Sequence, residues 1–184
     1  MGRATVRRDR YSRGAIFFHW TIALMVLFNL VVGIFHESLL EGLGLMPIHF
    51  AVGITVLVLS IGRWIWRLNH PAPRLPPGVP LAERAMAKTV QAIFYALIIL
   101  MPLSGWMMMS GGPKPHAVSW FGLFDLPILP VGKTMGGASH EFHEIFGYAM
   151  AALVALHIAG ALRHHFLLRD SVLRRMLGGS GLRV

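Results

Sequence analysis

The sequence contains no cysteine. Disulfides, thiolate-held iron–sulfur clusters and covalent heme attachment through C-x-x-C-H are therefore excluded, and any iron must be held by other side chains. Acidic residues are scarce too, with 8 Asp and Glu against 17 Lys and Arg. Charged residues of both signs make up only 14% of the 184 positions, while 55% are apolar and the mean hydropathy is +0.60. A chain so poor in charge cannot cover an ordinary soluble surface. What it has instead is four long apolar stretches, at 15–35, 48–65, 90–109 and 145–162. Each is close to the roughly 17–25 residues a helix needs to cross hydrocarbon. The expected fold is all-α, an integral membrane four-helix bundle forming one domain over 1–184, with spans at about 15–36, 47–67, 87–109 and 140–166.

The net charge of +9 would suit a nucleic-acid binder if it were clustered on one surface. Its distribution argues for a bilayer. Arg3, Arg7, Arg8, Arg10 and Arg13 precede the first span, and Arg63, Arg67, Arg74, Arg84 and Lys88 flank the second and third. Arg163, Arg169, Arg174, Arg175 and Arg183 close the chain, leaving Lys114 and Lys133 after the third span. Four spans put those fifteen on one side and the two lysines on the other. This is the positive-inside bias of a multi-pass inner-membrane protein with both termini cytoplasmic, and it leaves no nucleic-acid surface. Arg7-Arg8 before an apolar run suggests a twin-arginine signal, but no small-residue cleavage site follows, so the first helix is expected to stay.

The connections read as follows. The short segment 36–47 carries Glu37 and Glu41 and no Lys or Arg, as an external hairpin should. The segment 68–80 holds Pro71, Pro73, Pro76, Pro77 and Pro80, which exclude a continuous helix and imply an extended cytoplasmic linker. The segment 111–139 contains an apolar, proline-broken run at 117–130 too short to span, expected as an external cap. Trp64, Trp66, Trp106 and Trp120 fall near span boundaries, where indoles sit at headgroup level, and Pro102 implies a kink in the third helix.

Ten histidines in such a chain are costly, because an ionisable group at membrane depth needs a partner or a function. His19 lies about one turn into the first span, His49 opens the second, and His143 and His157 lie on the fourth. Fourteen residues separate the last two, nearly four whole turns and about 21 Å, so they share a face at opposite depths. Because alternate spans run in opposite directions, His19 matches the depth of His157 and His49 that of His143. Two cross-helix imidazole pairs suit the axial positions of two hemes held between helices. Four residues after each histidine stands a small residue, Ala23, Gly53, Gly147 or Ala161, which gives a macrocycle clearance on the same face. Small residues also mediate plain helix packing in membranes, but that leaves their placement beside all four histidines unexplained. The run His140-Glu141-Phe142-His143-Glu144 is not the zinc motif H-E-x-x-H, since its histidines are three apart. His164 lies seven residues beyond His157 on nearly the same face, where it can reach a quinone carbonyl or simply sit at the interface beside Arg163.

The opening Tyr11-Ser12-Arg13 with His19-Trp20, His49 with Gly53 and Arg63, the run His70-Pro71-Ala72-Pro73, and His143 through Gly147 and His157 to His164-His165 resemble the bacterial cytochrome b-561 family. The resemblance covers nearly the whole chain and implies two b hemes with His19, His49, His143 and His157 as axial ligands. Some members act as superoxide oxidases, passing an electron from periplasmic superoxide to ubiquinone; others are electron carriers. A superoxide site should attract an anion, and Lys114, Lys133 and His116 are the outer positive groups, opposed by Glu37, Glu41, Asp125, Glu141 and Glu144. The expected function is therefore superoxide:ubiquinone oxidoreduction with His164 at the quinone. The alternative is a relay between the quinone pool and a periplasmic redox protein docked on the cap. A transporter is disfavoured, because no acidic residue lies within the four apolar stretches.

Overall fold

The computed structural model describes residues 10–73 and 80–178. Arg3, Arg7, Arg8 and Arg183, and the part of the proline-rich linker with Arg74, Pro76 and Pro77, lie outside the described residues. Four helices long and apolar enough to cross a membrane follow one another: α1 (Arg13–Phe35), α2 (Met46–Asn69), α3 (Leu81–Gly111) and α4 (Lys133–Phe166). A two-stranded hairpin, β1 (Val118–Trp120) and β2 (Phe124–Leu126), lies between α3 and α4, and a short α5 (Val172–Met176) follows α4.

Local chemistry sets the helix ends. Ser12 caps α1 by accepting a hydrogen bond from the Ala15 amide at 3.3 Å, and its Oγ also accepts one from the Trp66 indole at 3.0 Å. That single hydroxyl fastens the start of α1 to the end of α2. Gly14 makes the approach possible, since a Cβ there would fall 2.4 Å from the Trp66 ring. Pro47 sits in the first turn of α2, where its missing N–H costs nothing. Pro102 interrupts the hydrogen-bond ladder of α3 without ending the helix.

Two helices run beyond the spans expected from sequence. α3 begins at Leu81 rather than near 87, and α4 at Lys133 rather than near 140. The first turns of α3 are built from good helix formers such as Leu81, Ala82, Glu83 and Ala85, which continue the helix beyond the apolar stretch. The early start of α4 rests on backbone contact: a Cβ on Gly136 would lie 2.3 Å from the carbonyl of Gly111, so the end of α3 and the start of α4 touch through glycine. The cap is correspondingly shorter and contains strand. Its turn places Phe121 and Gly122 at positive φ (49° and 74°), with the Leu123 amide bonded to the Trp120 carbonyl at 3.0 Å. Positive φ at both central residues is the condition for the hairpin turn whose twist matches its strands. Trp120 ties the hairpin to α2 through its indole N–H to Thr55 Oγ1 at 3.0 Å.

The bundle is antiparallel. Trp66 at the end of α2 meets Ser12, Arg163 at the end of α4 meets Glu83 at the start of α3 at 3.5 Å, and Gly111 meets Gly136 at the opposite end. α2 packs between α1 and α3, and α4 packs mainly along α3, standing off from α1 and α2. The buried core of Ile22, Val52, Val56, Leu97, Ile98, Met101 and Met150 occupies the middle of the bundle. Outward faces present Phe17, Leu24, Val31, Val58, Ile65 and Leu156, as lipid contact requires.

Candidate functional site

The gap between α4 and the α1–α2 pair is bridged at two levels by histidine. At one level His49, in the first turn of α2, faces His143 of α4 with ring centres 6.2 Å apart. At the other, His19 of α1 faces His157 of α4 with ring centres 6.3 Å apart. Met150, seven residues from each α4 histidine, lies in the apolar core that separates the levels.

The first pair sits in a cavity of about 500 Å³ bordered by Asn29, Gly33, Pro102, Gly105 and Trp106 among others. Nδ1 of His143 lies 3.0 Å from the Met101 carbonyl and 3.0 Å from Ser104 Oγ, while Ser104 itself donates to Met101 O at 2.8 Å. A carbonyl can only accept, so Nδ1 of His143 carries the proton and Nε2 keeps its lone pair. This is how protein groups orient a metal-ligating imidazole. His49 leaves its buried Nδ1 without a hydrogen-bond partner among the described residues. The rings fit because Gly33 and Gly105 lack side chains: a Cβ on Gly33 would stand 3.1 Å from His49 Cε1, and one on Gly105 3.3 Å from His143 Cε1. Sequence reasoning missed both glycines, since they lie on α1 and α3 and share no helical spacing with the histidines they face. Of the four small residues it did select, Gly53 and Gly147 border the cavity.

The second pair has a charged neighbour. Arg63 places a guanidinium nitrogen 3.3 Å from His19 Nδ1 and lies 5.6 Å above the Tyr95 ring, while Phe94 meets the edge of His157 at 5.4 Å. Arg63 stands fourteen residues after His49 on α2, so one face of that helix carries an imidazole at one level and a guanidinium at the other.

An imidazole–metal bond of about 2 Å on each side, plus about 1 Å from each nitrogen to its ring centre, puts ring centres about 6 Å apart across one metal ion. Both pairs have that separation. The family model for prokaryotic cytochrome b561 matches residues 10–179. The chain belongs to that family. It is similar to cytochrome b561 homolog 2 of Escherichia coli, 28% identical with 94% of this chain and 93% of the relative covered. It also resembles a probable superoxide oxidase of Yersinia pestis, 27% identical over 91% and 96% of the two chains. Cytochrome b562 of Cereibacter sphaeroides is 29% identical, with 91% and 94% covered. Family membership makes the chain an inner-membrane electron-transfer cytochrome whose cofactor is heme b. The residues fit it: no cysteine stands ready for covalent attachment, and imidazoles face each other at ligating distance.

The remaining sequence candidates are placed as follows. His164 turns Nδ1 to Asp170 Oδ2 at 2.5 Å. Lys114 and Lys133 are exposed, the latter as the first residue of α4, and neither borders the His49–His143 cavity. That cavity's rim instead carries His36, Glu37, His140 and Glu144. His140, which the sequence offered only as part of a rejected zinc motif, thus borders the cavity. Trp20, whose indole N–H donates to the Met176 carbonyl at 2.8 Å, holds α5 against α1.

Proposed function

We propose that this cytochrome takes electrons from superoxide on the His49–His143 side and delivers them to ubiquinone on the His19–His157 side. The observation that carries the reading is the pair of histidine couples, 6.2 and 6.3 Å between ring centres, at opposite depths of one bundle. Two b hemes, axially held by His19 and His157 and by His49 and His143, would supply one-electron carriers at the two levels. Each superoxide gives up one electron and leaves as dioxygen; two electrons and two protons convert ubiquinone to ubiquinol. Lys114 and Lys133, on the same end of the bundle as the rimmed cavity, raise the local concentration of the anion by long-range attraction. His164 serves the quinone through Nε2, with Asp170 holding the ring in place. The positive-inside pattern supports placing the cavity on the periplasmic side and both termini in the cytoplasm.

A stopped-flow experiment tests this directly. The purified protein is expected to be reduced rapidly by superoxide and reoxidised by a short-chain quinone. Slow reduction by superoxide together with rapid reduction by quinol would assign the chain to a quinol-to-protein relay. One observation favours that second reading: the hairpin exposes Phe121, Leu123 and Phe124 beside the cavity-bearing end, an apolar surface that a periplasmic redox protein can cover.

A further inference from the structure

At the opposite end from the hairpin, where α4 turns into α5, a second pocket of about 350 Å³ is lined by His165, Phe166, Arg169 and Arg174. No carboxylate borders it. The nearest candidate, Asp170, has both oxygens engaged, Oδ2 with His164 at 2.5 Å and Oδ1 with the Val172 amide at 2.9 Å. Neither Arg169 nor Arg174 is ion-paired among the described residues. The pocket is therefore a concentration of positive charge that the protein does not neutralise itself.

Its geometry is held rather than loose. The Asp170 amide bonds the His164 carbonyl at 3.1 Å, and Trp20 anchors α5 through Met176. Arg169 is fixed in the left-handed backbone region (φ 50°), a conformation costly for a residue with a Cβ and typical of ligand clamps. The pocket also lies just past the apolar stretch of α4, where a span of that length leaves the hydrocarbon. Phe166 lines it, and Leu167, Leu168 and Leu177 in the same stretch of chain are exposed apolar side chains. A free anion in water has no use for those apolar side chains, whereas an acyl chain below a phosphate does.

We propose that this pocket binds the phosphate of an anionic phospholipid from the leaflet on its own side. Arg169 and Arg174 donate to the phosphate oxygens, His165 adds a third donor, and the acyl chains lie against Phe166 and the leucines.

The test uses the heme-loaded protein in neutral detergent after delipidation, with thermal unfolding read by tryptophan fluorescence. Phosphatidylglycerol should raise the unfolding temperature at a concentration roughly tenfold lower than phosphatidylcholine needs, given the contribution expected of two arginines near a headgroup. Inorganic phosphate at the same concentration should do nothing. The double variant Arg169→Gln/Arg174→Gln should lose the preference for phosphatidylglycerol, and Lys88→Gln, a basic residue at the same end but outside the pocket, should keep it. Arg169→Gln alone, whose side chain is exposed, provides a folded variant with a weakened preference if the double variant does not accumulate. Equal response to both lipids, an equal response to inorganic phosphate, or an unchanged preference in Arg169→Gln would overturn the proposal.

Discussion

At the scale of single residues, the four paired histidines divide into two couples, and substitution should expose that division. Replacing His49 or His143 by Ala should abolish one class of heme signal in reduced-minus-oxidised spectra, and replacing His19 or His157 the other. If the His49 and His157 variants gave the same residual spectrum, the pairing would be wrong. Arg63 acts on one couple only. Its positive charge beside His19 favours the state with one more electron, so Arg63→Gln should lower the midpoint potential of the heme at that level by roughly 60 mV, a tenfold shift in a one-electron equilibrium. Spectroelectrochemical titration measures this, with Arg63→Lys expected to restore much of the loss. The histidines were legible in the sequence because helical spacing ties His143 to His157 and antiparallel spans fix the depths of the rest. Arg63 was legible as a basic residue near a span end and as one of the residues carrying the family resemblance, but not as a neighbour of His19. Its reach to His19 depends on where α2 lies against α1, which spacing along one helix does not encode.

At the scale of elements, the contact between α3 and α4 depends on Gly111 and Gly136 meeting backbone to backbone. Gly136→Val would drive side-chain atoms into the Gly111 carbonyl and should destabilise the protein by about 1–3 kcal/mol, the usual range for overpacking. The neighbouring Gly137 has nothing within 4 Å of its would-be Cβ, so Gly137→Ala should be tolerated. Thermal unfolding followed at the heme absorbance compares the two. This contact also explains why α4 extends beyond the apolar span expected from sequence. Hydropathy marks where hydrocarbon begins and ends, but α4 carries on through Lys133, Thr134 and Ser139 because glycine lets it lean on α3. The hairpin was hidden for a related reason: its short strands within a run of apolar residues and prolines give no clear alternation, and only Phe121–Gly122 hints at a turn.

At the scale of the whole molecule, charge and topology make two further claims. Reporter fusions at the C-terminus and within the 111–132 connection should report opposite sides of the membrane, and equal sidedness would remove the orientation on which the electron path depends. Neutralising Lys114 and Lys133 together should slow reduction by superoxide several-fold while leaving reduction by dithionite nearly unchanged, since attraction accelerates arrival and little else. Added salt should slow the wild type and affect the double variant less, because exposed charges are screened beyond about 8 Å at physiological ionic strength. The bundle and its histidine layers were thus readable from hydropathy and spacing. The rim of the cavity was not, because His36 and Glu37 at the end of α1 converge with His140 and Glu144 from within α4. The way α4 stands apart has a consequence for biosynthesis. It contributes one half of each couple, whereas α1 and α2 contribute to one apiece, and it follows them in the chain. No nascent chain lacking α4 can close either couple. If the two couples hold the hemes, cofactor capture at either level waits until all four spans are made, so a partly synthesised chain cannot take up an electron and strand it in the bilayer.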